Sequence, residues 1–143
     1  MKIDTMRKVD YFAGIPLCFL ATLLSRLVGL FAGRPFQRPR KVLFIELSEM
    51  GSAILADPAM RKMRREGNAE LYFVIFKSNA ASLRLLNTIP ETHVFTIRAD
   101  GLLNLAVDSL RFLFWTRRRR IDTVIDLELF SRYSALLTGL SGA

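Results

Sequence analysis

From Lys41 onward, apolar runs of strand length alternate with stretches of helical spacing, and the alternation repeats four times. The strand-like runs are "KVLFIEL" (41–47), "ELYFVIF" (70–76), "HVFTIR" (93–98) and "IDTVIDLEL" (121–129). The helical stretches are "AILADPAMRKMRREG" (53–67), "NAASLRLLNTI" (79–89), "DGLLNLAVDSLRFLFWTRRRR" (100–120) and "SRYSALLTGLSGA" (131–143). Strands that alternate with helices pair in parallel through right-handed crossovers. The runs are apolar on both faces, which suits a sheet covered on both sides. The expectation is an α/β domain: a Rossmann-like parallel sheet with flanking helices, its first strand between the second and the fourth. Ligands of such sheets settle beyond the carboxyl ends, where strand order reverses. The turn after the first strand, Ser48–Ser52, and the turn after the fourth, Glu128–Arg132, then face one crevice.

What precedes this domain differs in kind. Tyr11–Gly33, "YFAGIPLCFLATLLSRLVGLFAG", carries a single charge, Arg26. As a helix it is about 34 Å long, against about 30 Å for a hydrocarbon core. Arg26 at mid-span costs about 2.5–3.5 kcal/mol on insertion scales. Gly14, Cys18, Thr22, Ser25, Arg26, Gly29 and Gly33 line one small or polar stripe, so the helix also suits an in-plane position at a membrane surface. A cleaved signal peptide and a helix covering the domain's own surface stay open, although no A-x-A site follows. Residues 1–41 hold eight Lys/Arg against two Asp, a net +6 of the chain's +8, and residues 42–143 are nearly balanced. The basic excess thus flanks the apolar stretch, including the linker "GRPFQRPRK" (33–41), and does not form a stripe for nucleic acid. The expected organisation is a membrane-associating helix and basic linker (1–40), then the α/β domain (41–143) on the cytoplasmic side. The lone Cys18 excludes an internal disulfide, and no Cys/His group has metal-ligand spacing.

Within "SEMGSA", Gly51 permits close approach and Ser52 reads as the helix N-cap, with free N–H groups behind it that attract anions. Glu46, Glu49, Asp126 and Glu128 gather at the ends of the first and fourth strands, where a carboxylate can act as general base toward a hydroxyl. Arg132 is the expected partner of Glu46 and Glu128, or a clamp for an anionic substrate. Structural ion pairs and solvated loop charges are the alternative for these groups. Arg117–Arg120 reads as a solvated helix end complementing the dipole, with acidic lipid as its other reading. His93 reads as a surface residue and "RFLFW" (111–115) as core.

The segment "KVLFIELSEMGSAILADPAMRKMRRE", followed by an aromatic strand and "RIDTVIDLELFSRYSALLTGLSGA", resembles the N-terminal half of glycosyltransferase family 9, the heptosyltransferase-like enzymes of bacterial envelope polysaccharide synthesis. The resemblance covers about residues 41–143. It implies the N-terminal half of a GT-B fold, the lobe that receives a lipid-linked or polysaccharide acceptor. It also implies that a donor-binding lobe for the nucleotide sugar lies beyond Ala143, so that the chain is apparently truncated and inactive alone. No cofactor other than that donor is implied. The setting implied is the cytoplasmic side of a bacterial inner membrane, in lipopolysaccharide or exopolysaccharide synthesis. The family's catalytic Asp falls at Ser52, a neutral residue, so Glu49 and then Glu46 are the candidate bases. Gly51, Ser52, Glu128 and Arg132 are the candidate substrate contacts. The alternative is a non-catalytic, membrane-tethered Rossmann-like binding module.

Overall fold

The computed structural model describes residues 11–12, 14–20, 22–23, 38–129 and 131–143. The apolar helix expected at 11–33 lies in part outside them, as does most of the 1–40 segment. Its described residues, all within 11–23, are helical. No helix among the described residues is long and apolar enough to cross a membrane.

Four strands, β1 (Lys41–Ile45), β2 (Glu70–Phe76), β3 (Val94–Ile97) and β4 (Thr123–Asp126), form one sheet in the order β3-β2-β1-β4. Every pairing is parallel. Helices α1 (Met50–Gly67), α2 (Ala81–Leu86), α3 (Leu102–Arg119) and α4 (Arg132–Leu140) alternate with them. The expected α/β class and the central position of the first strand are therefore both present.

The side-chain period of two builds two cores from one sheet. Val42 and Phe44 of β1, with Leu71, Phe73 and Ile75 of β2, face α1 and α2 and bury Ala53, Met60 and Leu83. Leu43 and Ile45, with Tyr72 and Val74, face α3 and α4 and bury Phe112 and Leu137. Each of these large side chains contributes about 1.5–3 kcal/mol on burial. A polar crosslink locks β3 to α3: Arg98 places Nε 2.8 Å and an Nη 2.9 Å from the buried Asp108 carboxylate. That fork holds the Asp108 carboxyl down at about 2.

Several elements are shorter than the sequence suggests. Strand character in β1 stops at Ile45, not Leu47, and β4 keeps only four of the nine residues in 121–129. The cause is visible in the backbone, where loop bonds such as Phe76 N–H to the Leu47 carbonyl (3.2 Å) replace the regular ladder. Helix α2 spans only Ala81–Leu86, because a 3-10 turn takes Lys77–Asn79 and Asn87 ends it in the left-handed region. In "RFLFW", Phe112 is core and Trp115 half-buried, but Phe114 points outward. His93 is no plain surface residue: Nδ1 sits 3.1 Å from the Leu71 carbonyl, and the ring stacks 4.4 Å from Tyr72.

Helix α1 runs through Pro58, which leaves the carbonyl four residues earlier, on exposed Ile54, without its helical N–H. Helix α3 ends on Arg120 at φ 56°, the left-handed conformation that glycine adopts at least cost. We expect Arg120→Gly to stabilise the fold by about 0.5–1 kcal/mol, read as a raised urea midpoint with unchanged slope. A lowered midpoint would show that the Arg120 side chain itself holds the helix end.

Candidate functional site

The carboxyl end of β1 leads into a turn that both neighbouring strands grip. From the far end of β4, Glu128 accepts hydrogen bonds from the Leu47 amide (2.7 Å), the Ser48 amide (3.1 Å) and the Ser48 hydroxyl. From the 3-10 turn after β2, the Asn79 Nδ2 donates to the carbonyls of Leu47 (3.1 Å) and Ser48 (2.9 Å). One neighbour thus holds the donors of the turn and the other holds its acceptors. Asp126 fixes the β4 side, accepting from the Glu128 amide at 3.0 Å and facing the Thr138 hydroxyl at 3.4 Å. The turns expected to share a crevice do meet. Ser48 and Asn79 went unrecognised in the sequence, since neither the -S-E- step nor "KSNAA" has a distinguishing local pattern.

Beneath the turn lies Glu46, only 1% exposed. Its Oε1 accepts from the Glu49 amide at 3.0 Å. Its Oε2 is buried and meets no donor; the group within hydrogen-bonding reach is the Glu128 carboxyl. Two ionised carboxylates cannot share that contact, and a proton on Glu46 resolves both the repulsion and the orphaned oxygen. Burial first, and then Glu128, push the Glu46 carboxyl up to about 7, against the pull of the Glu49 amide. Burial also raises Glu128, but the Ser48 hydroxyl, the Leu47 amide, Glu46 and the Ser48 amide together outweigh it and leave Glu128 below the ordinary carboxylate range. The pair is therefore polarised, with the proton on the deeper member.

Glu49 and the start of α1 form the solvent side. The helix begins at Met50 with Glu49 as N-cap, so Ser52 is inside the first turn and is not the cap. The shift arises because Glu49, held extended by its amide bond to Glu46, already ends the turn. Ser52 instead donates its hydroxyl to Glu49 Oε2 at 3.2 Å. Glu49 places no side-chain hydrogen bond on the helix end, so the first-turn N–H groups are not capped by it. Gly51 is exposed, and a Cβ there would meet nothing within 4 Å. No protein atom requires a glycine there, and the first turn opens to solvent. Of the two candidate bases only Glu49 reaches the surface; Glu46 lies beneath it.

Arg132 is the first residue of α4, and its guanidinium carbon lies 6.0 Å from the Tyr11 ring centre. The donors that secure Glu128 are amides and a hydroxyl, where an arginine was expected. Among the described residues no group of three or more His, Cys, Asp or Glu is arranged to hold a metal ion. A separate groove of about 380 Å³ lies away from this turn, between α2 and β3, lined by Leu83, Arg84, Ile89, Pro90, Val94 and Thr96 among others.

No family model, curated protein or solved structure matches the chain.

The protonated Glu46 gives the fold a defined pH response. Its folded-state affinity for the proton exceeds that of the unfolded chain, so stability falls as pH rises from the ordinary carboxylate range through about 7. Glu46→Gln keeps an acceptor for the Glu49 amide and a donor for Glu128 but cannot ionise. We expect the variant to lose that decline and to exceed the parent by about 2–3 kcal/mol at pH 8, read from urea unfolding across pH 4–8. An unchanged slope would place the proton elsewhere.

Proposed function

We propose that this chain is the acceptor-side lobe of a glycosyltransferase, the N-terminal half of a GT-B arrangement. The observation that carries the reading is the clasp between the turns after β1 and β4, which sets an open helix start and a surface carboxylate beside the joined turns. The resemblance of residues 41–143 to glycosyltransferase family 9 points the same way. In this reading Glu49 takes the proton from an acceptor hydroxyl. The resulting oxygen attacks the anomeric carbon of a nucleotide sugar, and the nucleoside diphosphate leaves with the electron pair of the broken glycosidic bond. The Ser52 hydroxyl orients Glu49, Gly51 leaves room along the first turn of α1, and Glu128 and Arg132 shape the acceptor's side of the crevice. A second lobe supplies the donor, because transfer requires donor and acceptor to be held together. Residues 11–33 keep the protein at the cytoplasmic face of a bacterial inner membrane, near a lipid-linked acceptor of envelope or exopolysaccharide synthesis.

A second reading, a membrane-tethered binding module without catalysis, is favoured by one residue. Ser52 occupies the position of the resembled family's catalytic Asp, and its hydroxyl cannot serve as that base. The two readings separate by experiment. With a donor lobe present, Glu49→Gln is expected to lower sugar transfer by about 10²–10⁴-fold; unchanged transfer would remove Glu49 as base. In the isolated chain, a lipid-linked saccharide acceptor is expected to shift the amide NMR signals of Ser48, Gly51 and Ser52, while nucleotide sugars leave them in place. Shifts from nucleotide sugars alone would overturn the acceptor-side assignment.

A further inference from the structure

Helix α3 is apolar on two opposite sides. Phe112 and Leu105 face the sheet with the second core. On the other side Leu103, Val107, Leu110 and Phe114 follow the 4-3-4 spacing of a single helical stripe and are all exposed, Leu103 by 83% and Phe114 by 78%. The stripe is about 16 Å long. Exposed arginines border it on both sides: at 100° per residue, Arg117 falls on one flank and Arg111 and Arg118 on the other. The only acidic residue of the helix, Asp108, is buried and engaged by Arg98 and, at 3.5 Å, by Arg111. The outward face therefore carries large apolar groups and positive charge and no carboxylate.

We infer that the outward face of α3 is a membrane-docking surface that lies flat on anionic lipid, with Leu103, Val107, Leu110 and Phe114 among the acyl chains and Arg117 and Arg118 at the phosphates. The charge decides among possible occupants. An apolar stripe flanked by arginines matches the layered chemistry of a bilayer surface, apolar below and anionic at the rim. A second copy of the face offers these arginines no counter-charge, and their desolvation would oppose association. The surface contains no residue of 11–33 or of the β1 turn, and the inference holds whether or not the domain transfers sugar.

The test uses the full chain in a Cys18→Ser background, with an environment-sensitive fluorophore on Phe114→Cys. A matched label on Leu55→Cys is the control, since Leu55 is equally exposed (83%) but lies on α1, across the sheet. With vesicles of equal parts phosphatidylglycerol and phosphatidylcholine, the label at 114 is expected to shift to the blue and the label at 55 to stay unchanged. Adding Arg117→Gln and Arg118→Gln is expected to weaken the dependence of the shift on lipid concentration by about tenfold or more, since each arginine near an anionic surface counts for about one kcal/mol. Four results overturn the inference: sedimentation with vesicles without a shift at 114, an equal shift at 55, an equal shift with pure phosphatidylcholine, or a concentration-dependent shift without lipid. The first would mean that another segment carries the protein to the bilayer, and the last that a second copy covers the face.

Discussion

The grip of Glu128 and Asn79 on the peptide between Leu47 and Ser48 is the constraint on which the rest of the carboxyl end depends. That turn must leave a fully buried strand and enter a helix within four residues. Its amides and carbonyls lose their regular ladder there, and each orphaned group would cost about 1–3 kcal/mol if left buried. The side chains that answer come from the segments that follow the two strands flanking β1. The same reversal of strand order thus brings both partners within reach. Once the turn is fixed, Glu49 is extended, α1 starts at Met50, and Ser52 is carried to the Glu49 carboxylate.

The fold was legible because it depends on patterns that repeat along the chain. β1 and β2 are continuous apolar runs, and they are buried from Val42 to Ile45 and from Leu71 to Ile75. Alternation with helices then fixed parallel pairing and the central first strand. The site was legible only in outline. Glu46, Glu49 and Glu128 stood out as carboxylates at strand ends, but their roles depend on bonds spanning up to 81 positions. An arginine looked like the natural partner for a buried acid. Backbone amides did that work instead, and an amide leaves no trace in residue identity. Ser52 was placed as a cap because serine favours that position, whereas the helix began three residues earlier, where the contact to Glu46 ends the turn. Phe114 was assigned to the core with its aromatic neighbours, since a helix with apolar residues on two sides has no single periodic signal.

Glu46 and Glu128, brought together from distant parts of the chain, show how neighbouring acids acquire opposite ionisation behaviour. Glu46 sits where nothing but another carboxyl can meet its second oxygen, and it keeps its proton to about 7. Glu128 has the Ser48 hydroxyl, the Leu47 and Ser48 amides and the Glu46 carboxyl as donors, which hold it below the ordinary carboxylate range. Glu49 meets water. A neutral acid under a charged one provides a donor to it without a cation at the turn.

Both margins of the described sheet are four-residue strands, while the inner β2 has seven. A strand end of that size offers few unpaired N–H and C=O groups to a passing chain. The longest and most apolar strands, those with the strongest tendency to assemble into cross-β stacks, are enclosed by their neighbours once folding is complete. For the described sheet, pairing of β1 and β2 with a passing chain is therefore open mainly before β3 and β4 have docked, so the order in which these strands assemble matters for keeping the sheet from growing.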